Sequence, residues 1–146
     1  MLEVSTGRIG EFIACASIEL QGWQAVLCPS RGYDLIVTRD TYIYRCQVKA
    51  STYHTERPNK LQFHFGVGGK KRRPTSDDYD FAACVSIPHR RVFFVPIFDI
   101  NVITMSRTKV FFDDIDAEAN SFKSTMEKLN AKKFAKSTPL RITGCW

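Results

Sequence analysis

The 146-residue chain has no CxxC pair, no Cys/His group at a zinc-site spacing and no low-complexity tract. A structural zinc domain, a disordered chain and a fibrous protein are thereby set aside. No apolar run approaches the roughly 20 residues that cross a bilayer. The first residues, MLEVSTGRIGEF, lack the charged and apolar regions of a secretory signal. A cytoplasmic location with no membrane partner is therefore expected. The five cysteines, at 15, 28, 46, 84 and 145, form an odd set and read as reduced thiols. Cys15, Cys46 and Cys84 sit in apolar periodic stretches and are expected as small buried hydrophobes.

What the chain does carry is apolar mass and positive charge. Hydrophobic residues make up 44%, with eleven Phe, enough for one domain spanning 1–146. Lys and Arg number 21 against 15 acidic residues, a formal charge of +6. The basic residues cluster as KKRR at 70–73, RR at 90–91 and KKFAK at 132–136. Clustered cations suit a polyanion, because each neutralised phosphate releases counterions.

Residues 5–21 place apolar side chains at 9, 12, 13, 16 and 20, one face of a helix that Ser5 or Thr6 can cap and Gly22 can end. Glu11 stands at the border of that face. WQAVLCP at 23–29, YDLIVT at 33–38 and YIYRCQVKA at 42–50 read as three strands joined by short turns, an antiparallel meander. In the third strand Ile43, Arg45, Gln47 and Lys49 share one side, and Tyr42, Tyr44, Cys46, Val48 and Ala50 the other. KLQFHFGV at 60–67 is a further strand. FAACVSI at 81–87 and RVFFVPI at 91–97 form a buried hairpin needing cover on both faces. Helices at 5–21 and about 114–134 are expected to supply it, and TPLRITGCW at the end reads as a short strand or a tail.

Asp34 opens the second strand while Gln47 and Lys49 close the third. Counting outward from the turn at 39–41, a carboxylate and an ammonium meet at one end of the sheet. Glu11 can close the group from the preceding helix. Two carboxylates and a carbonyl oxygen suit a hard divalent ion such as Mg²⁺, and a lysine beside it suits phosphodiester hydrolysis.

The segments GRIGEF, GYDLIV and CQVKAS resemble the core of the PD-(D/E)XK nuclease superfamily: a helix with Glu, a strand with Asp, a strand ending in (E/Q)xK. The first fifty residues look most like the small cyanobacterial-type intron-encoded homing endonucleases, and are also similar to archaeal Holliday-junction resolvases. The resemblance implies a restriction-endonuclease-like α/β fold, with a central mixed β-sheet flanked by helices. It implies a metal-dependent endonuclease cutting double-stranded DNA. A domain this small cannot cover a long recognition site alone, so a homo-oligomer, a dimer or tetramer spanning two half-sites, is expected. Glu11, Asp34 and the Val48 backbone carbonyl would hold Mg²⁺ or Mn²⁺, Gln47 would take the usual acidic position, and Lys49 would be the catalytic lysine. Gln47 removes one negative charge from that pattern. A non-catalytic DNA-binding module that keeps the fold is the reading from another class.

GVGGKKRRP at 66–74 lacks the spacing of a nucleotide phosphate loop. Lys70, Lys71, Arg72 and Arg73 read instead as a DNA-contacting loop, whose cations position the duplex without reading it. His54 and His64 are expected at the surface, Tyr53 and Tyr79 in aromatic packing. DDID at 113–116 is expected as the acidic first turn of the last helix.

Overall fold

Helix α1 (Thr6–Leu20) forms as expected, but it is turned by about one residue. It buries Gly10, Ala14, Ser17 and Ile18, while Phe12 and Leu20 are 49% and 84% exposed. The small residues decide the contact face because they let the helix lie close on the sheet. A Cβ at Gly10 would stand 2.5 Å from the Ala50 Cβ. The helix ends in a Schellman motif: Gly22 has φ +88, its N–H donates to the Glu19 carbonyl at 3.0 Å, and the Trp23 N–H donates to the Ile18 carbonyl at 3.2 Å.

The computed structural model describes residues 5–28, 32–53 and 56–144, and the side chains of 136–144 are not among what is described. Of the residues weighed above, His54 and Cys145 lie outside these segments. The main sheet comprises β1 (Gln24–Leu27), β2 (Leu35–Arg39), β3 (Tyr42–Ser51), β5 (Phe81–Ser86) and β6 (Arg91–Pro96). Its strand order is β1-β2-β3-β5-β6. Only β3 and β5 run parallel, so the sheet is mixed, as the family resemblance implies.

One face of this sheet carries both long helices. Ala14 and Ile18 of α1 and Phe122, Met126 and Leu129 of α3 (Ala117–Gly144) share a core with Leu35, Val37, Cys46 and Val48. Glu118 ties the layer together, accepting from Ser17 Oγ at 2.8 Å and from the Val92 N–H at 2.6 Å. The opposite face is covered differently from the expectation of a helix on each side. A second sheet of β4 (Lys60–His64) and β7 (Thr104–Thr108), followed by the short α2 (Lys109–Asp113), packs there. Leu61, Phe63, Met105 and Phe112 meet Ala82 and Cys84 in a second core.

The end of the chain departs from its expected form. Helix α3 continues through Gly144, so TPLRITG is helical rather than strand or tail. DDID lies ahead of α3: Asp113 ends α2, and the acidic residue of the first turn of α3 is Glu118.

Candidate active site

The sheet places Asp34 one residue before β2, opposite Gln47 when the Leu35–Cys46 register is extended by one step. Opposite residues of an antiparallel pair share a face. Leu35 and Cys46 point into the helix-side core, so Asp34, Gln47 and Lys49 belong to the other face. The Asp34 N–H donates to the Cys46 carbonyl at 3.0 Å, and its carboxylate accepts from the Val48 N–H at 2.8 Å. By strand alternation the Val48 carbonyl points the same way as that of Cys46. It therefore faces the side on which β2 has not yet begun.

Glu11 reaches the same sheet end from α1, carried there by the Gly10–Ala50 contact. Burial first, and then the negative charge of Asp34, hold its carboxyl above the usual carboxylate range, against the opposing pull of Arg8. A carboxylate held up in this way by a neighbouring carboxylate marks a site whose negative charge a divalent cation would relieve. Gln47 supplies a further oxygen. Its Oε1 is buried and has no hydrogen-bond partner among the described residues, a costly state for an amide oxygen unless a donor or a cation binds there. The residues present thus fit a hard cation through oxygen donors. Among the described residues no three or more His, Cys, Asp or Glu are grouped so as to hold a metal ion by themselves, so the fit rests on two carboxylates plus amide and carbonyl oxygens.

Gln47 and Lys49 line a cavity of about 230 Å³ with Gly66, Gly68, Asp78 and Tyr79. The basic loop therefore walls the space into which the lysine projects. Val67 and Arg72 exchange backbone hydrogen bonds at 2.9 and 3.1 Å, closing a tight turn with Gly68 at φ +75 and Lys71 at φ +53. Within it the four cations differ. Arg72 makes two 2.9 Å bonds to the Asp78 carboxylate, which is held down to about 2 by that guanidinium and by the Thr75 N–H. Arg73 donates to the Asn101 carbonyl at 3.3 Å. These two brace the loop while Lys70 and Lys71 stand exposed. Tyr79 is buried, with its hydroxyl unpartnered among the described residues.

A wider cleft of about 500 Å³ opens beyond Lys49, bordered by Thr6, Thr52, Arg57, Lys60, Gln62 and His64. Its cations were not singled out in the sequence because nothing local in ERPNK links Arg57 and Lys60 to Lys49. Their signal is spatial. Elsewhere Ser86, His89 and Asp113 form a chain, with Ser86 Oγ 2.7 Å from His89 Nδ1 and His89 Nε2 3.3 Å from Asp113. Ser86 is 0% exposed, so its hydroxyl is closed to solvent and the trio ties the β5–β6 hairpin to the end of α2. Cys46 and Cys84 are fully buried, and burial pushes both thiols up, Cys84 to about 12, which removes them from nucleophilic chemistry.

No protein-family model matches the chain, and no curated protein matches it. A solved structure described as that of a bacterial homing endonuclease, I-Ssp6803I, superposes with a TM-score of 0.66 over 91% of this chain and 97% of that one, at 16% identity. At that identity the likeness is one of fold.

Proposed function

We propose that the chain is a divalent-metal-dependent endonuclease of double-stranded DNA, a single nuclease domain of PD-(D/E)XK type, and within that class a site-specific homing enzyme. The observation that carries this reading is the convergence at one sheet end of Glu11, Asp34, the unpartnered Gln47 Oε1 and Lys49. The fold shared with a bacterial homing endonuclease supports it.

Glu11, Asp34 and the Val48 carbonyl would hold Mg²⁺ or Mn²⁺, with Gln47 Oε1 as a further oxygen. When bound, the cation supplies positive charge that polarises the phosphoryl oxygen and lowers the pKa of water. Asp34 is fixed for its role by the Val48 N–H, which sets its carboxylate against the backbone of β3. Lys49 projects its ammonium toward the phosphate, where it offsets charge developing on the oxygens in the transition state. Lys70 and Lys71 would meet the phosphodiester backbone beside the cavity.

A homo-oligomer fits the outer surface. The turn of α1 leaves Phe12 and Leu20 exposed, and the edge strand β1 exposes Val26 and Leu27. An apolar surface of this kind suits a second copy, and two copies would span two half-sites of a duplex.

The test is cleavage of a randomised duplex library and of a synthetic four-way junction, each in Mg²⁺ and in EDTA. Cutting of one duplex sequence only in Mg²⁺ supports the homing reading, and preference for the junction turns it to a resolvase. Gln47 at the usual acidic position favours a second reading, a DNA-binding module without cleavage. That reading predicts binding and no cutting.

A further inference from the structure

The β4–β7 ribbon borders the wider cleft but supplies none of Glu11, Asp34, Gln47 and Lys49. Its inner side chains, Leu61, Phe63 and Met105, are buried in the second core and fix it to the main sheet. Its outer side chains are Lys60, Gln62 and His64 on one strand and Thr104, Ser106 and Thr108 on the other. The register makes them direct cross-strand pairs: Lys60 with Thr108, Gln62 with Ser106, His64 with Thr104. All six carry hydrogen-bonding groups, none is a carboxylate, and five of the six are exposed, Gln62 being half-buried. A face without negative charge, made wholly of donors and acceptors, suits the edges of base pairs.

Shape and place agree with this chemistry. A five-residue strand rises about 13 Å, and two strands lie about 5 Å apart. The major groove, about 12 Å wide, admits such a ribbon. The Gln62 N–H donates to Ser51 Oγ at 3.2 Å, and Ser51 follows Lys49 by two residues on β3. The ribbon is thus tethered about 7 Å along the strand from the lysine, about two base-pair steps. Lys60, Gln62 and His64 also border the wider cleft.

We infer that the β4–β7 ribbon is the element that reads bases, lying in the major groove of the duplex next to the cleavage position. The inference rests on the nuclease reading above. Gln62 offers the amide that pairs with the adenine edge, Lys60 suits guanine, and Ser106 and Thr104 serve either base or a thymine methyl. The His64 Nδ1 stands 3.2 Å from Thr104 Oγ1, which leaves Nε2 for a base edge. Over its length the ribbon spans about four base pairs.

The experiment is cleavage of a randomised duplex library in Mg²⁺, with the cut ends sequenced, by wild type, Gln62→Ala, His64→Ala, Ser106→Ala and Lys70→Ala. Thermal melts establish that each variant is folded, as expected for outward-facing side chains. Gln62→Ala should flatten the base preference at one position within about four base pairs of the cut, by about tenfold to a hundredfold. Lys70→Ala should slow all sequences alike. If wild type selects a sequence and the folded ribbon variants keep its full preference, the inference is overturned while the nuclease reading stands. If wild type cuts no duplex, the nuclease reading fails and takes the inference with it.

Discussion

Replacing Gly10 with alanine tests how the fold delivers Glu11 to the sheet. The new Cβ would stand 2.5 Å from the Ala50 Cβ and 3.6 Å from Val48 Cγ1. Carbon atoms settle at about 3.5–4.0 Å, so α1 must withdraw by about 1 Å. Overpacking of this kind costs about 1–3 kcal/mol, offset by about 1 kcal/mol of helix propensity. Gly7 on the same helix has nothing within 4 Å of its virtual Cβ, so Gly7→Ala carries propensity without the clash. Thermal denaturation should place Gly10→Ala below Gly7→Ala by about 1–3 kcal/mol, at about 2–4 °C per kcal/mol for a chain of this size. Adding Ala50→Gly should restore part of the loss beyond additivity, because the two sites touch. Cleavage should suffer more than stability, since a displacement of about 1 Å at an active-site group can cost about a hundredfold in rate. Equal melting of the two alanine variants, with no coupling to Ala50, would refute the claim that this contact sets the position of Glu11.

Two further outcomes follow from charge. A carboxylate whose folded value is raised costs stability once ionised, so in EDTA the wild type should lose stability as pH rises through the raised value of Glu11. Glu11→Gln should therefore melt higher than wild type at neutral pH in EDTA and gain nothing from added Mg²⁺; a lower melt with an intact Mg²⁺ response contradicts this. Asp78 is held down to about 2, so its contribution is complete above about pH 4 and is lost as pH falls through 2. In Arg72→Ala its NMR titration midpoint should rise toward the ordinary carboxylate range, and a midpoint still at the wild-type value would show that Arg72 is not the cause.

The central meander and the placing of Asp34 beside the end of β3 were legible because each rests on local pattern. The short turns from β1 to β3 fix strand neighbours, so the meeting of Asp34 with Gln47 and Lys49 follows from counting residues. The facing of α1 was not legible. Apolar spacing pointed to Phe12 and Leu20, whereas close approach to Ala50 selects the small residues Gly10, Ala14 and Ser17. Strand β7 was hidden for a related reason. In TMSRT only Met105 is buried, and its partner β4 lies some forty residues earlier in the chain. The cover of the second face therefore read as helical. The bracing of Arg72 by Asp78 was equally invisible, since a run of four cations does not reveal which are already paired within the protein.

The account turns on Lys49 acting at a phosphate rather than resting on a solvated strand face. Its most direct test is single-turnover cleavage in Mg²⁺ of the preferred substrate by wild type and Lys49→Ala, with DNA affinity measured alongside. The account predicts a loss of at least about a hundredfold in the cleavage rate with affinity near that of wild type. Cleavage at the wild-type rate by Lys49→Ala would contradict it.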